Sequence, residues 1–179
     1  MKEIQVGDKT FQEFLSEENI QSRIADMGRQ LNKDYAGKDP LIVSVLNGAF
    51  IFTADLVRHL NWDPEIQFVR LSSYHGGTKS SGQMRVLLDL SNSPEGRDVL
   101  IVEDIVDTGR TLDWLRSDLM HKGASSVKIA SLLFKHEMYM FETPPEYYCF
   151  RIPNEFVVGY GLDYAERGRN LRAIYSLKP

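Results

Sequence analysis

Cysteine is nearly missing from this chain. Its 179 residues include one, Cys149, which rules out an intramolecular disulfide and a cysteine-rich zinc site. Within "YYCFRI" it reads as a small buried residue. Long apolar runs are also lacking: "PLIVSVL" and "VLIV" fall far short of the ~20 residues that span a bilayer. The stretch "MKEIQVGDKTFQEFLSEE" carries acids throughout and has no apolar h-region, so it does not read as a signal peptide. The expected location is cytoplasmic, with no membrane partner. A basic surplus is missing too. The formal net charge is -4, whereas nucleic-acid binders usually carry excess Lys and Arg, so no nucleic-acid partner is expected. The chain contains no G-x-x-x-x-G-K-[ST], and "GYGLDY" does not complete G-x-G-x-x-G, which excludes the commonest nucleotide-binding loops.

What is present is an ordinary globular balance, 42% hydrophobic and 26% charged residues, enough to build a sizeable core. No repeat, low-complexity tract or Pro/Gly-rich linker interrupts it, so residues 1–179 read as one domain. Ile20, Ile24, Met27 and Leu31 recur at helical spacing, with Ser16 placed as N-cap. "PLIVSVL" reads as a strand buried on both faces, Asn47-Gly48 as a turn, and "AFIFTADLVRHL" as a helix. "EIQFVRLSSY" and "MRVLLDL" read as strands on either side of the polar "HGGTKSSGQ". Next come the strand "DVLIVED", the helix "TLDWLRSDLMHKG" with Gly123 closing it, and the strand "SVKIASLLF". "EYYCFRI" and "FVVGYGLDY" read as two further short strands. This alternation predicts an α/β fold, a mainly parallel twisted sheet flanked by helices.

Ligands of such sheets bind beyond the carboxyl ends of the strands. The unusual segments all fall there: "LNGAF", "SSYHGGTKSSG", "EDIVDTGRT", and Lys135 after "SLLF". In "DVLIVEDIVDTGRTL", Thr108, Gly109 and Thr111 lie between a strand and a helix. Gly109 permits positive φ, and the first N–H groups of the helix, with the positive end of its dipole, suit one phosphate. Arg110 is an optional further donor. Glu103 and Asp104 stand just before this cradle. They are adjacent at a strand end and need not point the same way. Carboxylates accept hydrogen bonds from a vicinal diol, so a ribose 5-phosphate satisfies both halves of the stretch. The competing reading is a solvated acidic loop in which Asp107 caps the helix.

"VLIVEDIVDTGRTL" resembles the phosphoribosyl-diphosphate signature of type I phosphoribosyltransferases. "VLNGAFIFTADL", "LSSYHGGTKSSG", "SLLFKHE" and "FVVGYGLDYAERGRNL" are similar to segments of the hypoxanthine-guanine branch, so the likeness runs from about Leu41 to Leu171. It implies the family fold, with a small hood formed by terminal segments. It also implies transfer of a 5-phosphoribosyl group from 5-phosphoribosyl 1-diphosphate to hypoxanthine, with guanine as a further base.

The resemblance assigns residues as follows. The 5-phosphate falls to Asp107, Thr108, Gly109, Arg110 and Thr111, and the ribose hydroxyls to Glu103 and Asp104. Diphosphate falls to Leu46, Asn47 and Gly48, around a cis peptide, and to Arg169. Asn47 departs from the family's usual Lys or Arg, which leaves the main-chain contact but removes a charged one. Ser73 and Tyr74 match the lid dipeptide. The base falls among Ile105, Lys135, Phe156, Val157 and Asp163, with Lys135 donating to O6 and Phe156 stacking. An ammonium only donates, which favours a 6-oxo over a 6-amino group. Asp107, Arg169 and Lys135 are the implied catalytic residues. Asp107 lies beside N7, where a carboxylate of ordinary pKa, about 3.9, is a weak base at neutral pH; stabilising the N7 proton fits better than abstracting it. Two Mg²⁺ ions are implied, with Asp163 as the firmest protein ligand and Glu103 and Asp104 beside the metal. A homodimer or homotetramer is implied as well. Two alternatives stay open: a xanthine-preferring enzyme, and a nucleotide-sensing regulator on the same fold.

Overall fold

The computed structural model describes residues 2–73 and 84–178. Six strands form the main sheet: β3 (Leu41–Leu46), β4 (Ile66–Ser73), β5 (Met84–Leu88), β6 (Asp98–Val106), β7 (Ser126–Lys135) and β8 (Tyr147–Ile152). Their order is β5-β4-β3-β6-β7-β8. All pairs are parallel except β4–β5.

Helices cover both faces, which explains the unbroken apolar runs of the central strands. Helices α1 (Glu17–Asp34) and α2 (Phe50–Val57) share one core with Ile42, Leu100, Val102 and Leu132. Helix α3 (Arg110–His121) packs Leu112, Leu115 and Leu119 on the other face, against Val43, Ile101 and Ile129. Alternate residues of β3 and β6 thus enter opposite cores, as the period of two requires. Ser16 caps α1 by accepting the Asn19 N–H at 3.3 Å. Gly123, at φ +89°, follows the end of α3.

A second, antiparallel sheet is the hood. Strands β1 (Glu3–Val6), β2 (Lys9–Leu15), β9 (Val157–Val158) and β10 (Ile174–Leu177) lie in the order β1-β2-β10-β9. They enclose a small core of Val6, Phe11, Val158, Ala173 and Tyr175. Tyr160 ties this hood to the helices: its hydroxyl donates to Asp55 of α2, and Gln21 of α1 donates to the same oxygen at 2.8 Å.

Three differences from the sequence reading stand out. The β1–β2 hairpin was not anticipated, although Gly7-Asp8 between β-rich segments is a two-residue turn signal. Strand β6 runs two residues beyond "DVLIVED", to Val106, so the acids stand inside the strand and not at its last positions. "FVVGYGLDY" yields only two strand residues, because Gly159, Tyr160 and Gly161 all take positive φ, at 103°, 51° and 99°. No helix among the described residues is long and apolar enough to cross a membrane.

Candidate active site

Strand β6 delivers its acids to the carboxyl edge of the sheet, where the chain turns through Asp107 and Thr108 into α3. Gly109 is the N-cap, at φ +82°, and no side chain caps the helix. The reading of Asp107 as the cap is therefore corrected: αL geometry at Gly109 makes the turn, and the Asp107 carboxylate is left for other partners. A cavity of about 160 Å³ opens here, lined by Glu103, Asp104, Asp107, Thr108, Gly109 and Thr111 among others. The expected cradle and the expected diol acceptors thus face one space. Arg110, the first residue of α3, is exposed outside it.

Glu103 and Asp104 do not diverge as alternating strand residues would. The Glu103 side chain curls back, so that its Oε1 accepts the Asp104 N–H at 3.1 Å. Asp104 Oδ1 accepts the Ile105 N–H at 2.8 Å. Burial, then the neighbouring Asp104 charge, raises the Glu103 carboxyl well above the usual carboxylate range. Burial also raises Asp104, against hydrogen bonds and the Arg169 charge that favour its ionised form. Neither acid is in a salt bridge among the described residues. An acidic pair of this kind, Glu103 buried and Asp104 half-buried, suits a cation or a donating hydroxyl pair.

A second cavity, of about 270 Å³, adjoins the first. It is lined by Asp104, Ile105, Asp107, Lys135, Phe156, Val157, Leu162 and Asp163. Lys135 ends β7, is buried to within 8% of its surface, and extends its ammonium to 3.6 Å from Asp107 Oδ2. It also donates to Asn154 Oδ1 at 3.2 Å. Phe156 is 47% exposed and leans its ring on Phe11 and Tyr164, centroids 6.3 and 6.0 Å away. An aromatic supported on one side and open on the other is a stacking platform.

The loop after β3 closes the site from the side. The Leu46–Asn47 peptide is cis, as the resemblance implied. Gly48 follows, so close to the acids that a Cβ on it would lie 1.6 Å from Asp104 Oδ2. The hood approaches the same loop: a Cβ on Gly161 would lie 2.0 Å from the Gly48 carbonyl oxygen. Asp163 and Arg169 stand on the hood side, paired at 2.8 Å. Arg169 also donates to the Gly161 carbonyl at 2.9 Å. Asp163 is thus engaged by Arg169 and separate from the Glu103–Asp104 pair; among the described residues no three His, Cys, Asp or Glu side chains gather round one point.

Of the predicted residues, Ser73 is the last of β4, and Tyr74, with most of the expected lid, lies outside the described residues. Asn154 and Leu162 belong to the site and were missed. "PNE" signals only a turn, and Leu162 looks like any core leucine; their role appears only when the hood folds over β7.

Residues 11–165 match the phosphoribosyl transferase domain family. The chain is 50% identical over 173 residues to a hypoxanthine-guanine phosphoribosyltransferase of Lactococcus lactis, covering 96% of this chain and 94% of that protein. It is 49% identical over 163 residues to one of Streptococcus mutans, covering 91% of each. The crystal structure of a hypoxanthine phosphoribosyltransferase from Staphylococcus aureus superposes with a TM-score of 0.88 at 43% identity, covering 94% of this chain and 91% of that one. Acids, hydroxyls and an αL glycine on one strand-to-helix turn, an α/β sheet beneath and likeness over nearly the whole chain lead to one conclusion: this chain belongs to the phosphoribosyltransferase family.

Proposed function

We propose that the chain is a purine-salvage enzyme that transfers the 5-phosphoribosyl group of 5-phosphoribosyl 1-diphosphate to hypoxanthine and guanine, giving IMP and GMP. The observation that carries this reading is the junction of the two cavities. Asp104, Ile105 and Asp107 line both, so a sugar phosphate in one and a flat base in the other meet where a C1–N bond would form. In the transfer the C1–O bond to diphosphate breaks, the C1–N bond forms, and the base loses a proton.

The chain's residues divide the work. Thr108, Gly109 and Thr111 hold the 5-phosphate by main-chain and hydroxyl donors at the start of α3. Asp104, with Glu103 behind it, accepts from the ribose hydroxyls. The main chain at Asn47 and the Arg169 guanidinium address diphosphate. Phe156 stacks on the base, Lys135 donates to O6, and Asp107 stabilises the proton at N7. Mg²⁺, when bound, would be held by Glu103 and Asp104 and by Asp163, with most of its ligands supplied by water and diphosphate, and would supply charge neutralisation for the leaving diphosphate. Kinship supports a cytoplasmic homodimer or homotetramer. The test is direct. With phosphoribosyl diphosphate and Mg²⁺, hypoxanthine and guanine are converted to nucleotide; a preparation that converts neither overturns the reading.

A further inference from the structure

Gly109 was expected to be glycine for its turn and for close approach of a phosphate. The structure gives it a third constraint, on the side away from the cavity. A Cβ built on Gly109 would lie 2.4 Å from Tyr139 Cε2, 2.9 Å from Tyr139 Cδ2 and 3.0 Å from Phe141 Cδ2. The residues joining β7 to β8 therefore press on the cradle from behind. The Met140 N–H also donates to the Thr108 carbonyl at 3.2 Å, joining the two segments through their backbones.

Tyr139 is itself firmly seated. Its ring meets buried Phe134 edge-on, with centroids 5.2 Å apart and planes at 83°, and packs on Phe141 at 5.7 Å. Its hydroxyl donates to the Thr143 carbonyl at 2.8 Å. Behind the ring lies a further cavity of about 320 Å³, lined by Asp113, Arg116, Tyr139 and Phe141 among others. The aromatic pair is thus a partition between that cavity and the phosphate turn. Without the ring, open space stands behind Gly109.

We propose that Tyr139, braced by Phe141, is a positioning residue for the 5-phosphate site, holding the Thr108–Gly109 turn so that its N–H groups converge before the ligand arrives. The proposal rests on the reading that residues 108–111 bind the 5-phosphate. Donors fixed in advance cost the ligand no ordering. Loosening them weakens the sugar-phosphate substrate selectively, because Tyr139 lines the cradle's back and not the base cavity.

The experiment compares wild type with Tyr139→Ala, Tyr139→Leu, Tyr139→Phe and Thr111→Ala. It measures KM for each substrate, calorimetric binding of ribose 5-phosphate, and thermal unfolding. Tyr139→Ala raises KM for phosphoribosyl diphosphate about tenfold, equivalent to about 1.4 kcal/mol, and weakens ribose 5-phosphate binding similarly. KM for hypoxanthine stays as in wild type. Tyr139→Phe, which keeps the ring, restores tight binding. Tyr139→Leu, closer in bulk, serves the same comparison if the alanine variant does not fold. A folded Ala or Leu variant with unchanged KM for phosphoribosyl diphosphate, or with both KM values raised equally, overturns the proposal. If Thr111→Ala leaves ribose 5-phosphate binding unchanged, the cradle reading fails; if only the Tyr139 variants do, the cradle stands and the positioning role falls.

Discussion

Asp107 Oδ2 lies 3.6 Å from Lys135 Nζ, the lysine side chain 10% exposed and the aspartate 50%. The groups assigned to N7 and O6 of one purine ring therefore already face each other, the lysine held at the end of a buried strand and the acid on a turn. A bound 6-oxopurine would enter between complementary charges. No capping duty competes for Asp107, because Gly109 starts α3 without a side-chain cap.

Asp107→Asn keeps size and polarity but removes the charge. It is expected to lower kcat by roughly 10²-fold while thermal stability changes by no more than about 0.5 kcal/mol. Steady-state kinetics and a melting curve on the same preparation check both halves. Wild-type turnover would remove Asp107 from the chemistry.

Lys135→Gln addresses base choice. An ammonium offers only donors, whereas an amide can present either a donor or an acceptor, so the variant can meet a 6-amino group. The expected result is a smaller ratio of kcat/KM for hypoxanthine over adenine, through loss of the hypoxanthine term and some gain of the adenine term. An unchanged ratio would refute the O6 assignment.

The sequence made the sheet legible because its central strands are buried on both faces and read as continuous apolar runs, Leu41 to Leu46 and Val99 to Val102. The strand-to-helix turn that carries the proposed cradle was legible because residues 107–111 are contiguous. What was hidden is contact between distant segments. Nothing in "HEMYMFE" announces that Tyr139 packs on Gly109, and nothing in "PNEF" that Asn154 accepts from Lys135. The hairpin of β1 and β2 was signalled by Gly7-Asp8, yet its strands are mostly half-buried and lack clean alternation, since only Val6 and Phe11 are buried. The curl of Glu103 towards Asp104 is hidden for a related reason: strand alternation describes Cβ directions and leaves open where a side chain as long as glutamate ends.

Gly48 and Gly161 test how tightly the site is assembled. Gly48→Ala would put a methyl where the Asp104 carboxylate now sits, with no positive φ at that position to add backbone strain. It is expected to displace Asp104 and raise KM for phosphoribosyl diphosphate about tenfold or more, with little change for the base. Gly161→Ala meets a main-chain oxygen and a φ of +99°. Its cost is expected to be about 1–3 kcal/mol, visible as a fall in Tm of several degrees. Wild-type affinity for phosphoribosyl diphosphate in Gly48→Ala would argue against Asp104 as a ribose contact.

Cys149 gives stability a dependence on alkaline pH. Burial pushes its thiol up to about 12, and the side chain is 2% exposed. An unfolded chain releases that proton near ~8.5. Above that pH the unfolded state binds fewer protons than the folded one, so stability falls as pH rises, and it is fully retained below it. The contribution from this thiol alone is a loss of about 2 kcal/mol by pH 10. Tyr147 and Tyr160, raised chiefly by burial, act in the same direction at higher pH. Urea titrations at pH 7.5, 9 and 10 measure the slope. Cys149→Ala is expected to flatten it between pH 8.5 and 10, so that any stability deficit of the variant at pH 7.5 shrinks by about 2 kcal/mol by pH 10. In the native protein at pH 8 the thiol is expected to resist alkylation, and to react once urea unfolds the chain. Equal alkylation rates in the two states, or identical pH slopes for wild type and Cys149→Ala, would show that the thiol is not held neutral by burial.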